Sequence, residues 1–110
     1  SSDAGHITRP DVDGIACAIS RALNDAGLAA DRVDYVNAHG TGTPANDPAE
    51  TAALHRVFGA HANALSVSST KSMHGHALGA TSALELIATV LAIKHNRIPP
   101  TANFIGCNKK

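Results

Sequence analysis

The sequence has 110 residues and no net charge, because nine Lys and Arg residues are balanced by nine Asp and Glu residues. This length suffices for one domain with a hydrophobic core. The neutral charge and an aromatic content of 3% argue against a basic surface for nucleic acid. The two cysteines, Cys17 and Cys107, match no metal or redox spacing and favour a reducing compartment, so we expect a cytoplasmic protein.

The first residues and the longest apolar run are the candidates for a signal peptide and a membrane span. The sequence begins at Ser1 with a polar stretch, which predicts no signal peptide and a start inside a longer chain. The longest apolar run, residues 77–93, contains Gly, Thr, Ser and Glu. We expect it to be too short and too polar to span a membrane.

Two amphipathic helices are predicted in the first half of the chain. Residues 11–26 place apolar side chains on one helical stripe, and the following Gly27 is a suitable stop. A second helix is predicted to begin with Asp47 as N-cap and Pro48 at the first helical position. Glu50 would complete a capping-box pattern, and Gly59 would end the helix.

Short strands and a long apolar helix complete the pattern. Residues 33–38 and 65–68 are short runs typical of strands. Residues 77–95 predict a helix that is apolar on nearly every face, which is normal for a helix buried inside a larger structure. Alternating helices and strands favour a parallel α/β sheet. Because two strands make a poor sheet, we expect further strands before Ser1 and after Lys110.

Polar loops follow both predicted strands. They are residues 37–44 (Asn-Ala-His-Gly-Thr-Gly-Thr-Pro) and residues 68–76 (Ser-Ser-Thr-Lys-Ser-Met-His-Gly-His). Ligands of open parallel sheets bind beyond the carboxyl ends of the strands, and adjacent strands lie about 5 Å apart. We therefore expect His39, Lys71 and His76 on one rim. The alternative is that both loops are ordinary turns between α/β units.

Glu85 is the only charged residue between positions 77 and 93. An unpaired carboxylate inside a buried helix is costly, so a cationic or hydrogen-bonding partner is expected. Lys71, in the loop before the helix, is the nearest plausible cation. The alternative is that Glu85 faces a gap filled by solvent.

These motifs together resemble the β-ketoacyl-[acyl-carrier-protein] synthases. Residues 36–50 resemble the first histidine motif of that family, and residues 67–80 resemble its lysine and second histidine motifs. The stretches 1–4 and 99–103 also match in order. The resemblance covers residues 1–104, the C-terminal half of the synthase, and leaves residues 105–110 as a divergent tail. The motif sequences are most similar to those of discrete fatty-acid, nodulation and type II polyketide enzymes.

The resemblance implies a thiolase-like fold, a layered α/β structure with a mixed sheet and a buried central helix, here truncated at both ends. It implies a homodimer and a decarboxylative Claisen condensation. In that reaction a cysteine in the absent N-terminal half takes an acyl group from acyl carrier protein. Malonyl-ACP then loses carbon dioxide, and the resulting carbanion attacks the acyl thioester.

The resemblance also implies roles for individual residues. The catalytic set is His39, His76, Lys71 and Glu85, in which the histidines stabilise the enolate oxygen and Lys71 pairs with Glu85. Thr41, Thr43 and Thr8 would contact the phosphopantetheine arm of the carrier protein. No metal and no other cofactor is expected on this chain. Neither Cys17 nor Cys107 matches the family's nucleophile, so the isolated chain is expected to be inactive.

Two alternatives remain open at this stage. One is a non-catalytic subunit of the chain-length-factor kind, which shares the fold and lacks the nucleophile. The other is a small metal- or ligand-binding module, suggested by His74-Gly75-His76, although no further ligand stands at an obvious spacing.

Overall fold

The computed structural model describes residues 9–106. Four α-helices and two strands occur in this part of the chain. In chain order they are α1 (Val12–Ala26), β1 (Tyr35–Asn37), α2 (Asn46–Phe58), β2 (Ser66–Ser68), α3 (Lys71–His74) and α4 (Thr81–His95). Short 3₁₀ turns at Ala30–Arg32, Gly59–Asn63 and Leu78–Ala80 complete the connections.

The two strands are parallel, as the alternation of elements predicted. Tyr35 lies opposite Ser66 and Asn37 lies opposite Ser68. One further hydrogen bond, from Ala38 N to Ser68 O at 2.8 Å, continues the pairing beyond the end of β1. The α/β fold class is confirmed, although the described strands form only a parallel pair and not a mixed sheet. Because the strands are parallel, the loops that follow them leave from the same edge.

Helix α1 ends at the predicted stop and begins one residue after the predicted start, with Asp11 as its N-cap. The Asp11 carboxylate accepts hydrogen bonds from Asp13 N at 3.3 Å and from Gly14 N at 2.9 Å, which satisfies two free N–H groups of the first turn. Gly27 ends the helix with φ +63°, a conformation that glycine adopts without strain. Helix α1 packs on α2 through a small core that includes Ala16, Ala53, Leu54 and Phe58.

The predicted capping box of α2 is wrong. The helix begins at Asn46, one residue before the proposed cap, and its N-cap residue Ala45 contributes no side-chain hydrogen bond. Glu50 points instead to the loop after β1, where its carboxylate accepts two backbone N–H groups. Two charge-assisted bonds to a distant loop replace the single local bond of a capping box. The predicted stop at Gly59 is confirmed.

The segment after β2 is held by hydroxyl groups. Ser68 Oγ donates to Pro99 O at 2.6 Å, and Thr101 Oγ1 accepts from Ser69 N at 3.0 Å. Ser72 Oγ accepts from Ala102 N at 2.8 Å. The chain that follows Pro99-Pro100 therefore returns to the loop that carries Lys71.

Helix α4 begins at Thr81, four residues later than predicted, because residues 78–80 form a 3₁₀ turn. Within it only Thr81 and Ala92 are buried. Its exposed apolar side chains are Leu84, Leu86, Ile87, Val90, Leu91 and Ile93. The helix expected at the centre of the fold thus presents uncovered apolar surface in this chain.

One segment has the length and composition of a membrane-crossing helix. Leu78–His95 has 18 residues and a mean hydropathy of 1.2, although its apolar run was expected to be too short and too polar. Core helices of water-soluble domains meet the same criterion. The segment also carries Glu85, which forms an ion pair with Lys71 outside the helix. Its composition is therefore weak evidence for a membrane span.

Candidate active site at the sheet edge

An open cavity of about 1350 Å³ lies at the carboxyl edge of the two strands. The side chains of His39, Lys71 and His76 line it, as the loop positions predicted. Thr41 and Thr43 line the same cavity. Glu85 does not line it and contacts the site through Lys71. Thr8, the remaining predicted site residue, lies outside the described residues.

The two histidine rings stand next to each other. Their centroids are 5.2 Å apart, and their planes meet at 83°. One ring edge therefore faces the other ring's face. Each neutral imidazole carries one ring N–H donor, so the two histidines place two such donors side by side at the cavity.

The tautomer of His76 follows from its neighbours. Its Nδ1 accepts a hydrogen bond from Leu78 N at 3.1 Å, and a backbone amide of this kind is always a donor. Nδ1 is therefore unprotonated in the neutral ring, and the proton is on Nε2. Thr81 Oγ1 lies 2.9 Å from the same Nδ1. His76 can therefore offer Nε2–H to a ligand.

The backbone of His39 is held by the carboxylate of Glu50, which was predicted to form a capping box instead. Glu50 accepts hydrogen bonds from His39 N at 2.7 Å and from Gly40 N at 2.9 Å. Asn46 Nδ2 also donates to this carboxylate, at 3.2 Å. No local pattern predicts these contacts, because Glu50 is 11 residues from His39 and lies on a different element.

The environment of His39 favours its neutral form. Partial burial of the ring is the main cause that lowers the pKa of His39 below its ordinary value of 6.5, and the Lys71 ammonium is the next. Glu50 opposes this shift to a smaller extent. Neutral His39 retains one ring N–H donor, and within residues 9–106 its ring forms no hydrogen bond that would occupy that donor.

Lys71 and Glu85 form the predicted ion pair. Lys71 Nζ donates to Glu85 Oε1, and the two side chains are only 6% and 16% exposed. Lys71 is the first residue of α3 and Glu85 lies in the second turn of α4. The pair therefore connects the loop after β2 to the apolar helix. Burying both charges is tolerated because each neutralises the other.

Asn37 and Thr70 form a second connection, which the sequence analysis did not identify. Asn37 Nδ2 donates to Thr70 Oγ1 at 3.1 Å and to Glu85 O at 3.3 Å. Thr70 N donates in return to Asn37 Oδ1 at 3.3 Å, and Thr70 is 2% exposed. The end of β1, the start of α3 and the second turn of α4 are thereby joined behind the cavity.

Comparison with known protein families gives a match over nearly the whole chain. Residues 1–105 match the model of the β-ketoacyl synthase C-terminal domain. The chain belongs to the β-ketoacyl synthase family. The resemblance that the sequence motifs indicated is thereby confirmed.

Individual relatives agree with this assignment. The synthase domain is 59% identical to nodulation protein E of Rhizobium sp. (strain N33) over 104 residues, which is 94% of this chain and 26% of that protein. It is 56% identical to 3-oxoacyl-[acyl-carrier-protein] synthase 2 of Coxiella burnetii over 105 residues, 94% of this chain and 25% of that protein. The chain therefore spans about a quarter of the length of these relatives.

Solved structures show the same fold. The ishigamide ketosynthase/chain length factor superposes with a TM-score of 0.89 at 47% identity, covering 99% of this chain and 27% of that one. A complex of a type II polyketide synthase acyl-carrier protein with its ketosynthase, AntDE:AntF, superposes with a TM-score of 0.84 at 39% identity. It covers 92% of this chain and 25% of that chain. The described fold is thus the C-terminal part of the ketosynthase fold.

The threonines of the first loop bind each other and the start of α2. Thr41 Oγ1 and Thr43 Oγ1 are 3.1 Å apart. Thr43 Oγ1 accepts from Asn46 N at 3.2 Å, which satisfies one free N–H group of the helix. The two hydroxyls therefore lie on the cavity wall of the synthase domain in a fixed arrangement.

Both ring nitrogens of His74 lie within hydrogen-bonding distance of protein atoms. Its Nδ1 lies 2.8 Å from Gly75 O and its Nε2 lies 3.1 Å from Thr70 Oγ1. The carbonyl requires Nδ1 to be the donor. Among the residues that the structure describes, no three His, Cys, Asp or Glu side chains come together as metal ligands. The sequence His74-Gly75-His76 therefore has no third ligand in this part of the chain.

Gly40 lies where the first loop passes close to Ser69 of the second, and it supplies a test of their packing. A Cβ added there would lie 2.5 Å from Ser69 Cβ, at φ +41°. In Gly42, at φ +71°, an added Cβ meets nothing within 4 Å. Both alanine variants incur the left-handed penalty of about 1–2 kcal/mol. Only Gly40→Ala adds overpacking of about 1–3 kcal/mol.

We expect Gly40→Ala to lower the thermal unfolding midpoint of the full-length protein clearly more than Gly42→Ala does. The comparison tests the contact with Ser69, because φ is positive at both positions and only Gly40 has a close neighbour. Equal midpoints for the two variants would contradict the loop packing described above.

Proposed function

We propose that the full-length protein carrying this domain, called the complete synthase below, is a 3-oxoacyl-[acyl-carrier-protein] synthase. It performs a decarboxylative Claisen condensation of malonyl-ACP with an acyl thioester in fatty-acid or polyketide synthesis. Its substrates arrive on the phosphopantetheine of acyl carrier protein, and it acts as a homodimer in the cytoplasm. Family membership and the chemistry of the cavity support this proposal.

The observation that carries the proposal is the pair of neighbouring imidazoles on the cavity wall, with ring centroids 5.2 Å apart. Decarboxylation of a malonyl thioester places negative charge on the thioester oxygen. Donors fixed where charge develops lower the barrier, and one such donor is worth about 3–4 kcal/mol. We assign Nε2–H of His76 and a ring N–H of neutral His39 to this oxygen.

Lys71, Glu85 and the threonines have supporting roles in the proposal. The Lys71 ammonium favours neutral His39, and Glu85 holds Lys71 in place. Thr41 and Thr43 offer hydroxyls on the same cavity wall to the amide groups of the phosphopantetheine arm. Thr8 is assigned to the same arm from its motif alone.

A non-catalytic subunit of the chain-length-factor kind is the second candidate. One similar solved structure is a ketosynthase/chain length factor, so this fold occurs in a structure of that description. The residues of the cavity favour the catalytic kind, because a non-catalytic subunit has no need of a buried ion pair beside two facing histidines.

The release of carbon dioxide from malonyl-ACP by the purified complete synthase discriminates between the two candidates. The proposal predicts release that depends on the carrier protein and is followed by formation of a 3-oxoacyl product. A purified protein that releases no carbon dioxide unless a second, different ketosynthase subunit is added would favour the non-catalytic candidate.

The isolated 110-residue chain is expected to have no condensing activity. The acyl group must be held on a thiol, and Cys17 is exposed on α1 and does not line the cavity. Cys107 lies outside the described residues and does not match the family's nucleophile. The measurement is formation of carrier-bound 3-oxoacyl product, with the complete synthase as the positive control. Product formed by the isolated chain at any rate above background would contradict this expectation.

A further inference from the structure

The turn between His76 and α4 contains a strained residue. Leu78 has φ +48°, in the left-handed region that bulky side chains rarely adopt. In the same turn Leu78 N donates to His76 Nδ1 at 3.1 Å. Leu78 itself is 78% exposed, so the packing of its side chain does not hold the turn in this chain.

Thr81 closes this turn from the other side. It is the first residue of α4, it is 4% exposed, and its Oγ1 lies 2.9 Å from His76 Nδ1. Because Leu78 N donates to the same nitrogen, Nδ1 carries no proton in the neutral ring and the Thr81 hydroxyl must be the donor. His76 is the only partner of that hydroxyl in the described chain.

A second threonine on the same helix shows the usual alternative. Thr89 Oγ1 donates to Glu85 O at 2.8 Å, the backbone four residues earlier, as hydroxyls in helices commonly do. Thr81 has its hydroxyl turned away from the helix and committed to an imidazole of the cavity. A buried hydroxyl with one partner fixes the position of that partner.

We propose that Thr81 is a positioning residue for His76, whose hydroxyl donates to Nδ1 and thereby orients the Nε2–H group into the cavity. The orientation of the ring concerns His76 alone, whereas the catalytic consequence rests on the function proposed above. Thr81 does not line the cavity, so it acts only through His76. With the hydroxyl removed, Leu78 N is the sole remaining donor to Nδ1.

The test uses three variants of the complete synthase. Thr81→Val keeps the shape of the side chain and removes the hydroxyl, and Thr81→Ser keeps the hydroxyl. Ser82→Ala is the matched control, because it removes a hydroxyl from the next residue of α4, which is exposed. Two readouts are measured: long-range ¹H–¹⁵N NMR of the His76 imidazole and steady-state decarboxylation of malonyl-ACP.

The expected NMR result is an Nε2–H tautomer in the unmodified protein, in Thr81→Ser and in Ser82→Ala. In Thr81→Val the ring should keep the Nε2–H tautomer through Leu78 N, but the ¹⁵N shift of Nδ1 should move, because this nitrogen loses one of its two donors. The expected kinetic result for Thr81→Val is a loss in kcat of about 5- to 10-fold, with little change in KM. This is the loss expected when one hydrogen bond is removed. Thr81→Ser should restore most of the rate.

A Thr81→Val protein whose His76 shifts equal those of the unmodified protein would overturn the proposal. Equal losses in Thr81→Val and Ser82→Ala would also overturn it, because the effect would not be specific to the hydroxyl. If the NMR shifts change as expected while even the unmodified protein fails to decarboxylate malonyl-ACP, the proposed function fails and the role of Thr81 in orienting the ring stands.

Discussion

Replacing His76 with Ala in the complete synthase is expected to reduce malonyl decarboxylation by about 10²–10³-fold, the usual cost of one donor to a developing oxyanion. Acyl transfer to the nucleophilic cysteine should remain largely intact, because that step does not create the enolate. The measurements are carbon dioxide release from malonyl-ACP and single-turnover acylation with a radiolabelled acyl thioester.

His55→Ala is the matched control for this variant. His55 is exposed on α2 and does not line the cavity, so both steps should proceed at the unmodified rate. A parallel loss of acylation and decarboxylation in His76→Ala would show that the ring has a structural role and not the assigned one. His39→Ala should behave like His76→Ala, and the double variant should lose less than the product of the two factors.

Lys71→Met is expected to destabilise the complete synthase by about 3–5 kcal/mol, because it leaves the Glu85 carboxylate buried without its partner. Lys71→Met combined with Glu85→Leu removes both charges and should recover much of this loss. Thermal unfolding midpoints of the two single variants and the double variant form a double-mutant cycle. Additive effects would contradict a direct ion pair.

The exposed ion pair between Arg56 and Asp13 supplies the control for this cycle. Its side chains are 57% and 76% exposed, so water and salt screen the interaction. Removing either partner should change the stability by less than about 1 kcal/mol. The contrast between the two pairs tests whether burial, and not charge pairing as such, determines the cost.

Removing the charge of Lys71 and removing that of Glu85 change the pKa of His39 in opposite directions. The Lys71 charge lowers that pKa and the Glu85 charge raises it, so Lys71→Met should raise it and Glu85→Gln should lower it further. Neutral His39 exists above its pKa, and decarboxylation should therefore decline as the pH falls below that value. The acid limb of the rate profile should move to higher pH in Lys71→Met and to lower pH in Glu85→Gln.

The lowered pKa also links His39 to stability. The unfolded chain binds a proton on this histidine at a higher pH than the folded chain does. The neutral form therefore contributes fully to stability above the ordinary value near pH 6.5. This contribution is lost as the pH falls from that value through the lowered pKa of the folded chain, because the unfolded chain takes up the proton first.

The convergence of His39, Lys71 and His76 could be predicted because it depends on topology alone. Two parallel strands end at the same edge, so any polar loops that follow them share a rim. The Lys71–Glu85 pair could be predicted for a different reason: a single carboxylate in an apolar helix needs a cation, and Lys71 was the nearest one. Neither inference required side-chain detail.

The role of Glu50 could not be predicted, because its choice of partner is not local. The pattern from Asp47 to Glu50 satisfies the rule for a capping box, yet the loop at His39 offers two N–H groups to the same carboxylate. The shorter extent of α4 has a similar cause. The turn at Leu78 is held by contacts to the His76 ring, and helical periodicity carries no information about those contacts.

A crystal structure of the complete synthase with a non-hydrolysable malonyl thioester analogue on its phosphopantetheine arm tests the central claim most directly. The account predicts the thioester oxygen within about 2.7–3.1 Å of Nε2 of His76 and of one ring nitrogen of His39. An oxygen held by other donors, or one contacted by only one of the two rings, would contradict it.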